Sequence, residues 1–308
     1  VEVRGAVRSP SASLPPGVRP SPVRDLADRA GLAAALAGAD TIVHLAARVH
    51  VMRETDPDPL RAFREVNVEG TRVLLEEAAR AGVRRFLFAS SVKAMGEGSE
   101  RVLTESTPAA PVDPYGISKL EAEELVRDFA ALEGMHAPIL RLPLVYGAGV
   151  GGNMLRLFRL VDRGVPLPLG GVRNRRSMVF VGNLVEAVRA ALRAPAAPGE
   201  VFLVSDGEDL STPGLIRCIA AALGRPARLV PVPPSLFRLG GRVGDGLARV
   251  VPFPVTSAAV ERLLGSLAVD STRLRTLCGF VPPFTVEAGL RSTAEWYRAS
   301  ARRAHDGP

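Results

Sequence analysis

The chain has 308 residues, 47% of them hydrophobic and 23% charged, with a formal net charge of +7; it can bury one large α/β core or two coupled domains. No run approaches the roughly 18 apolar residues of a membrane span, the N-terminus lacks the order of a signal peptide, and the two cysteines, Cys218 and Cys278, are too few for a disulfide framework or a Cys/His metal site. A cytoplasmic protein without membrane, metal or nucleic acid is expected, because the cations are scattered with no Lys/Arg block and no aromatic interleaving.

In chain order, Val1–Val7 reads as a strand with Val1, Val3 and Val7 on one face, and Pro10–Pro22 as a Pro/Ser-rich connection. Asp28–Leu36 is helical and stops at Gly38, and Thr41–Leu45 is a short buried strand. Pro59–Ala81 carries one long helix ending at Gly82. Phe86–Ala89 is a strand running into Ser90 and Ser91, Tyr115–Leu132 a helix, and Ile139–Leu142 another strand. This alternation argues for βαβ units and a parallel sheet. After about Tyr146 come a Gly-rich loop (Gly147–Gly152), a helix (Asn153–Arg163) and a Pro/Gly connection (Gly164–Gly171). Strands at Met178–Val181 and Val201–Val204 flank a helix at Leu184–Arg193, and the remainder is rich in Pro and short helices.

A dinucleotide-binding fold opens with a strand and a Gly-rich turn whose N–H groups approach the pyrophosphate. No G-x-x-G-x-x-G stands near residue 1. The chain reads as starting at the second strand of such a unit, about 25 residues into it. A shortened chain is the expectation; the alternative is that dinucleotide is not bound in the usual way.

The chemistry gathers in two places. Tyr115 and Lys119 form Y-x-x-x-K, which on a helix shares one face. A free phenol titrates near 10, too high for a base at neutral pH, and a nearby ammonium favours the phenolate. Of 39 cationic residues only Lys93 and Lys119 are lysines, so a chance Lys four places after one of three tyrosines has odds of about 2%. Ser91 ends the Phe86–Ser91 strand, where ligands of such sheets bind. The bland alternatives are a solvated helix pair and a turn-capping serine. His44, inside an apolar run, reads as a packed strand residue.

Asp25-Leu26, Thr41-Ile42-Val43-His44-Leu45-Ala46-Ala47, Asn67-Val68-Glu69-Gly70-Thr71, Phe88-Ala89-Ser90-Ser91, Tyr115-x-x-x-Lys119 and the ending Asp270-Ser271, Leu290 and Trp296 together resemble the extended short-chain dehydrogenase/reductase family, the NAD-dependent epimerases and dehydratases. The resemblance runs from residue 1 to about 300. It implies a Rossmann-like doubly wound α/β sheet, lacking its first strand and Gly-rich loop, with a smaller C-terminal substrate-capping region. Residues 1–145 and 177–204 would hold the dinucleotide, 146–176 and 205–300 the nucleotide sugar, and 301–308 would be a tail.

The same resemblance assigns roles. Tyr115 would exchange the proton of the sugar 4-hydroxyl, Lys119 would lower the tyrosine pKa and hold the nicotinamide ribose, and Ser91 would hydrogen-bond the same oxygen. Asp25 and Leu26 would flank adenine; Leu45, Ala46, Ala47, Asn67, Ser90 and Pro143 would border the cofactor. Asn153 and Arg176 would meet the substrate diphosphate, a fork of donors suiting phosphate oxygens, and Lys93 would face the sugar. The stretches Ser90-Ser91-Val92-Lys93, Leu167-Pro168-Leu169-Gly170 and Arg175-Arg176-Ser177 are similar to UDP-4-keto-6-deoxy-HexNAc 4-reductases of surface-polysaccharide synthesis, and Lys93 stands where a dehydratase needs acid. Arg8, after the first strand, hints at a ribose 2′-phosphate, so the cofactor is expected to be NAD or NADP. The expected function is C4 oxidoreduction or epimerisation of a UDP-sugar by a homodimer. A non-catalytic nucleotide-binding relative and a reductase of a non-nucleotide carbonyl are the competing readings.

Overall fold

The centre of the molecule is a four-stranded parallel sheet whose two faces are both apolar, as helix-covered sheets require. The structure, a computed structural model, describes residues 2–9, 14–49, 56–195, 199–247 and 256–305. Its elements are β1 (Val3–Val7), β2 (Val18–Pro22), α1 (Arg29–Leu36), β3 (Thr41–His44), α2 (Pro59–Arg64), α3 (Gly70–Arg80), β4 (Arg85–Ser91), α4 (Pro114–Glu133), β5 (Ile139–Leu142), β6 (Leu144–Tyr146), α5 (Gly152–Asp162), β7 (Met178–Phe180), α6 (Val181–Arg193), β8 (Val201–Leu203), α7 (Thr212–Ala222), α8 (Pro234–Leu247), α9 (Ser257–Leu264), α10 (Thr272–Cys278) and α11 (Val286–His305). The central sheet has the order β3-β4-β5-β8, while β1 pairs in parallel with β2 and β6 with β7.

Strand alternation explains the two-sided burial. On β4 and β5, Phe86, Phe88 and Ile139 enter one core with Leu32 of α1, Leu74 and Leu75 of α3 and Val126 of α4. Leu87 and Leu140 point the other way, joining Ala187 and Ala191 of α6, Phe202 of β8 and Leu274 of α10. The sheet is thus wrapped on both faces by its own crossover helices. A third core gathers Tyr146, Phe158, Met178, Ile216 and Leu290 from the second half of the chain.

Four expectations are corrected. Within the expected Pro10–Pro22 connection, Val18–Pro22 is a strand. It is tolerated because it lies at the edge of a pair, where Pro20 and Pro22 leave no ladder donor missing toward a further neighbour. Residues 10–13 of that connection, and 306–308 of the expected tail, lie outside the described residues, and α11 runs through 301–305. The single helix over Pro59–Ala81 is interrupted by a π-helical stretch, Glu65–Glu69, between α2 and α3, and Leu144–Tyr146 is an additional strand. Finally, α6 begins at Val181 rather than Leu184, shortening the strand before it to Met178–Phe180.

Candidate active site

Parallel strands deliver their carboxyl ends to one edge of the sheet, where doubly wound folds bind ligands. Ser90 and Ser91 end β4 beside Arg141 and Leu142 of β5, and Leu45, Ala46 and Ala47 follow β3 in the same direction. Leu45 is 67% exposed and Ala46 is exposed as well, an open apolar floor; the expectation of a buried strand here is corrected, since in β3 only His44 is buried and Val43 is exposed at the edge of the sheet. Pro143 is buried between β5 and β6.

Helix α4 lies along this edge. Its N-cap is Asp113, whose Oδ1 accepts from the Gly116 N–H at 2.6 Å, and Pro114 occupies the first turn, where its missing N–H costs nothing. Tyr115 stands on that turn, half-buried, with its ring 6.0 Å from that of Phe63 on α2. Burial raises the phenol pKa and the charge of Asp113 adds to that, while a hydrogen bond with the Ser91 hydroxyl lowers it. The two hydroxyls therefore face one another at the open end of β4.

Lys119, one turn further along α4, is 2% exposed. Its ammonium donates to the Ala89 carbonyl at 2.6 Å and lies 3.9 Å above the Phe88 ring. Burial brings its pKa down to about 7, against the pull of Glu123. Lys119 thus donates to the strand, and of the influences on the Tyr115 phenol the one that lowers its pKa is the Ser91 hydroxyl. His44 is buried between the Phe86 and Phe88 rings with Nε2 3.0 Å from Thr71 Oγ1. Burial and the Lys119 charge press its pKa down to about 3, so it is a neutral packing residue.

Below the site lies a group that sequence reasoning missed. Arg141 donates to Glu123 of α4 three times, Nε to Oε1 at 3.0 Å and to Oε2 at 3.2 Å and Nη2 to Oε2 at 2.7 Å, and Ser90 Oγ donates to the same carboxylate. All three side chains are buried. Ser90 and Arg141 are register partners on adjacent strands, so Glu123 pins α4 across two of them. A signal existed in the acidic residue inside the apolar face of α4, but its partner lies 18 residues away and only the register aligns them.

The π-helical stretch places Asn67 inward. Its amide donates to Arg48 O at 3.0 Å and to Ser118 Oγ at 2.9 Å, and its Oδ1 accepts from Arg48 N at 2.7 Å, tying the loop after β3 to α4. Lys93 lies in a single 3-10 turn after β4, and its ammonium is engaged by Glu97 and by Asp113 at 3.2 Å. The other expected residues lie further out. Arg8 is exposed just after β1, and Asp25 is exposed with Oδ1 accepting from Ala27 N. Leu26 packs so closely on Gly70 that a Cβ there would meet it at 2.7 Å, which makes it a packing residue first. Asn153 is exposed at the start of α5. Arg176 donates to the carbonyls of Arg262 and Gly265, and burial disfavours its charge while Glu97 supports it. Of its neighbours, Arg175 is paired with Asp209 and Asn174 is buried, bonded to Thr212 and the 263–265 backbone. Among the described residues no group of His, Cys, Asp or Glu side chains is placed to hold a metal ion, and no helix is long and apolar enough to cross a membrane.

Residues 4–205 match the NAD dependent epimerase/dehydratase family. The chain is 39% identical over 265 residues to a UDP-glucose 4-epimerase of Vibrio cholerae, covering 85% of this chain and 78% of the relative. It is 31% identical over 285 residues to an N-acetyl-alpha-D-glucosaminyl-diphospho-ditrans,octacis-undecaprenol 4-epimerase of Escherichia coli O157:H7, covering 91% and 84%. Among solved structures, MoeE5 in complex with UDP-glucuronic acid and NAD is similar with a TM-score of 0.73 and 25% identity, over 94% of this chain and 89% of that one. The open apolar floor after β3 and the buried ammonium of Lys119 beside Ser91 and Tyr115 fit a nicotinamide cofactor, NAD or NADP.

Proposed function

The chain belongs to the NAD dependent epimerase/dehydratase family, and from that premise we propose that it is a 4-epimerase of a UDP-linked hexose, serving surface-polysaccharide sugar metabolism. The observation that carries this reading is the placement of Ser91 at the end of β4 and of Tyr115 on the first turn of α4, with the Ser91 hydroxyl favouring the phenolate. The same apparatus serves a 4-ketoreductase, and the 4-epimerases among the relatives favour epimerisation. Residues 1–145 and 177–204 form the cofactor half, and 146–176 and 205–300 the sugar-nucleotide half. Two copies meet through α2, α3 and α4.

The bound cofactor supplies hydride acceptance at the sugar C4 carbon and its return. The protein does the rest. Tyr115 takes the proton of the 4-hydroxyl and gives it back, and Ser91 donates a hydrogen bond to the same oxygen as charge develops on it. Leu45, Ala46, Ala47, Asn67, Ser90, Lys119 and Pro143 would hold the cofactor at the strand ends, with Arg8, Asp25 and Leu26 at its far end. Lys119 brings an ammonium whose pKa burial lowers to about 7, and Asn153 and Arg176 would take the diphosphate.

The test is incubation of the full chain with NAD and UDP-glucose or UDP-N-acetylglucosamine, followed by separation of the 4-epimers. Tyr115→Phe is expected to lower turnover by at least about 10³-fold, the upper range for a proton-transfer group, while UDP-sugar affinity stays within about twofold. Unchanged turnover in that variant refutes the reading.

A second reading, a polyprenyl-diphosphate-linked sugar as substrate, draws on α8. Helix α8 packs Gly241 and Gly244 inward and turns Leu236, Leu239 and Val243 outward, more than half exposed, with Arg238 and Arg242 alongside. An apolar stripe edged by arginine suits an anionic lipid surface. Cosedimentation with vesicles containing anionic lipid, abolished in Leu236→Ser/Leu239→Ser, supports it; no cosedimentation of the wild type removes it.

A further inference from the structure

Both lysines of a chain whose other 37 cations are arginine stand on the two elements that present the reacting hydroxyls. Lys119 belongs to the cofactor side. Lys93 has no part in the steps above, yet it is held both by its side chain and by its backbone. Its backbone N–H donates to Ser91 Oγ at 3.2 Å. Its ammonium reaches Glu97, four residues on, and Asp113 Oδ2 at 3.2 Å, the N-cap of α4. The other Asp113 oxygen caps the first turn of α4. That turn is drawn so close that a Cβ on Gly116 would lie 2.4 Å from the Lys93 carbonyl oxygen. Lys93 thus meets the turn carrying Tyr115 through its side chain and through its backbone.

We propose that Lys93 is a positioning residue for the reaction at Ser91 and Tyr115: its ammonium holds Asp113, fixes the first turn of α4 against the strand end, and cancels the carboxylate charge that would otherwise bear on the phenol. The proposal rests on Tyr115 as the proton-transfer group.

The charges around the phenol make Asp113 the decisive one. Arg64 of α2 is paired with Glu121 of α4, Arg141 of β5 with Glu123 of α4, and His44 of β3 is neutral. Lys119 is engaged by Ala89 O, and Glu97 stands between Lys93 and Arg176. Asp113 is the carboxylate whose charge raises the Tyr115 pKa. Burial works against the Asp113 carboxylate, yet its contact with the Glu97 side chain, the bond from the Gly116 N–H and the Lys93 charge hold it below the usual carboxylate range. It therefore stays ionised at neutral pH and requires a counter-charge. A compact ammonium fits between two carboxylates on a side chain that is only 27% exposed; a planar guanidinium needs a wider slot.

The experiment compares Lys93→Met, Asp113→Asn and the double variant with wild type, in the full chain with NAD and the UDP-sugar. Lys93→Met is expected to lower kcat 10- to 100-fold, with KM within about twofold, as misplacement of a reacting group does. The acidic limb of its kcat/KM profile moves to higher pH, because the phenol must lose its proton beside an uncancelled carboxylate. Adding Asp113→Asn, which keeps the helix cap, returns that limb to its wild-type position. The tyrosinate absorbance step missing from Tyr115→Phe, one of three tyrosines, must shift in parallel. A higher KM with unchanged kcat would make Lys93 a substrate contact and overturn the proposal, as would an unmoved limb in a folded Lys93→Met. If Tyr115→Phe itself remains active, the reading beneath the proposal fails instead.

Discussion

Glu123→Gln isolates the energetics of the pin beneath the site. The substitution keeps the side-chain shape and one acceptor oxygen, which Ser90 Oγ and Arg141 Nε share, but it removes the charge and the oxygen that accepts from Arg141 Nη2, leaving the guanidinium buried without its counter-charge. Removing one partner of a buried pair costs about 3–5 kcal/mol, because the remaining charge is uncompensated. Here the Glu123 side chain is 0% and the Arg141 side chain 6% exposed, so solvent offers little relief. With an unfolding entropy of about 2.1 cal/mol/K per residue, a chain of 308 residues loses about 5–8 °C of apparent Tm for that change. Differential scanning calorimetry and urea unfolding read it directly. Replacing all three groups, as Glu123→Leu/Arg141→Met/Ser90→Ala, is expected to recover most of the loss, because a packed apolar set avoids the desolvation of the ions. A loss below about 1 kcal/mol in Glu123→Gln would mean that the guanidinium finds water or another partner, and would refute the account of a dry pin.

Two more outcomes follow from close approaches and burial. Gly116→Ala places a Cβ 2.4 Å from the Lys93 carbonyl oxygen; the gain of up to about 1 kcal/mol that alanine brings to a helix is expected to be outweighed, with a lower Tm and a kcat reduced at least tenfold, and an unchanged kcat would contradict the fit. Lys119→Met is expected to be more stable than wild type at pH 7, since burial lowers the folded-state pKa from 10.5 to about 7. Between those values the unfolded chain binds the proton that the folded one refuses, so wild-type stability rises with pH through that window and the two Tm values converge by about pH 10; a gap that stays constant from pH 7 to 10 would show that the ammonium is not the cause.

Much of the architecture is legible in local sequence. The apolar runs at Arg85–Ser91 and Ile139–Leu142 announce strands buried on both faces, and Thr41–His44 a strand at the sheet edge that is less covered than its composition suggests. Asp28, Asp113 and Gly134 mark helix ends by capping chemistry. Tyr115 and Lys119 declare their common helix face by a spacing of four, and Lys119 stands out against a background of arginine. Where neighbours in space are also neighbours in sequence, or share a period, reading the chain suffices.

What the chain order hides is decided by register and by the close packing of α4 on β4. Ser90, Glu123 and Arg141 become one group only because β4 and β5 align residue 90 with residue 141. Asp113 finds Lys93 only because glycine at 116 lets a helix start touch the strand end. The direction of the Lys119 ammonium follows from the same contact: buried against β4, it donates to the Ala89 carbonyl. A sequence states which groups exist and which face of their own element they occupy. The distances between elements, and hence the charges each group feels, come from packing that no local pattern encodes, because Coulomb and desolvation energies depend on separations set by the whole core.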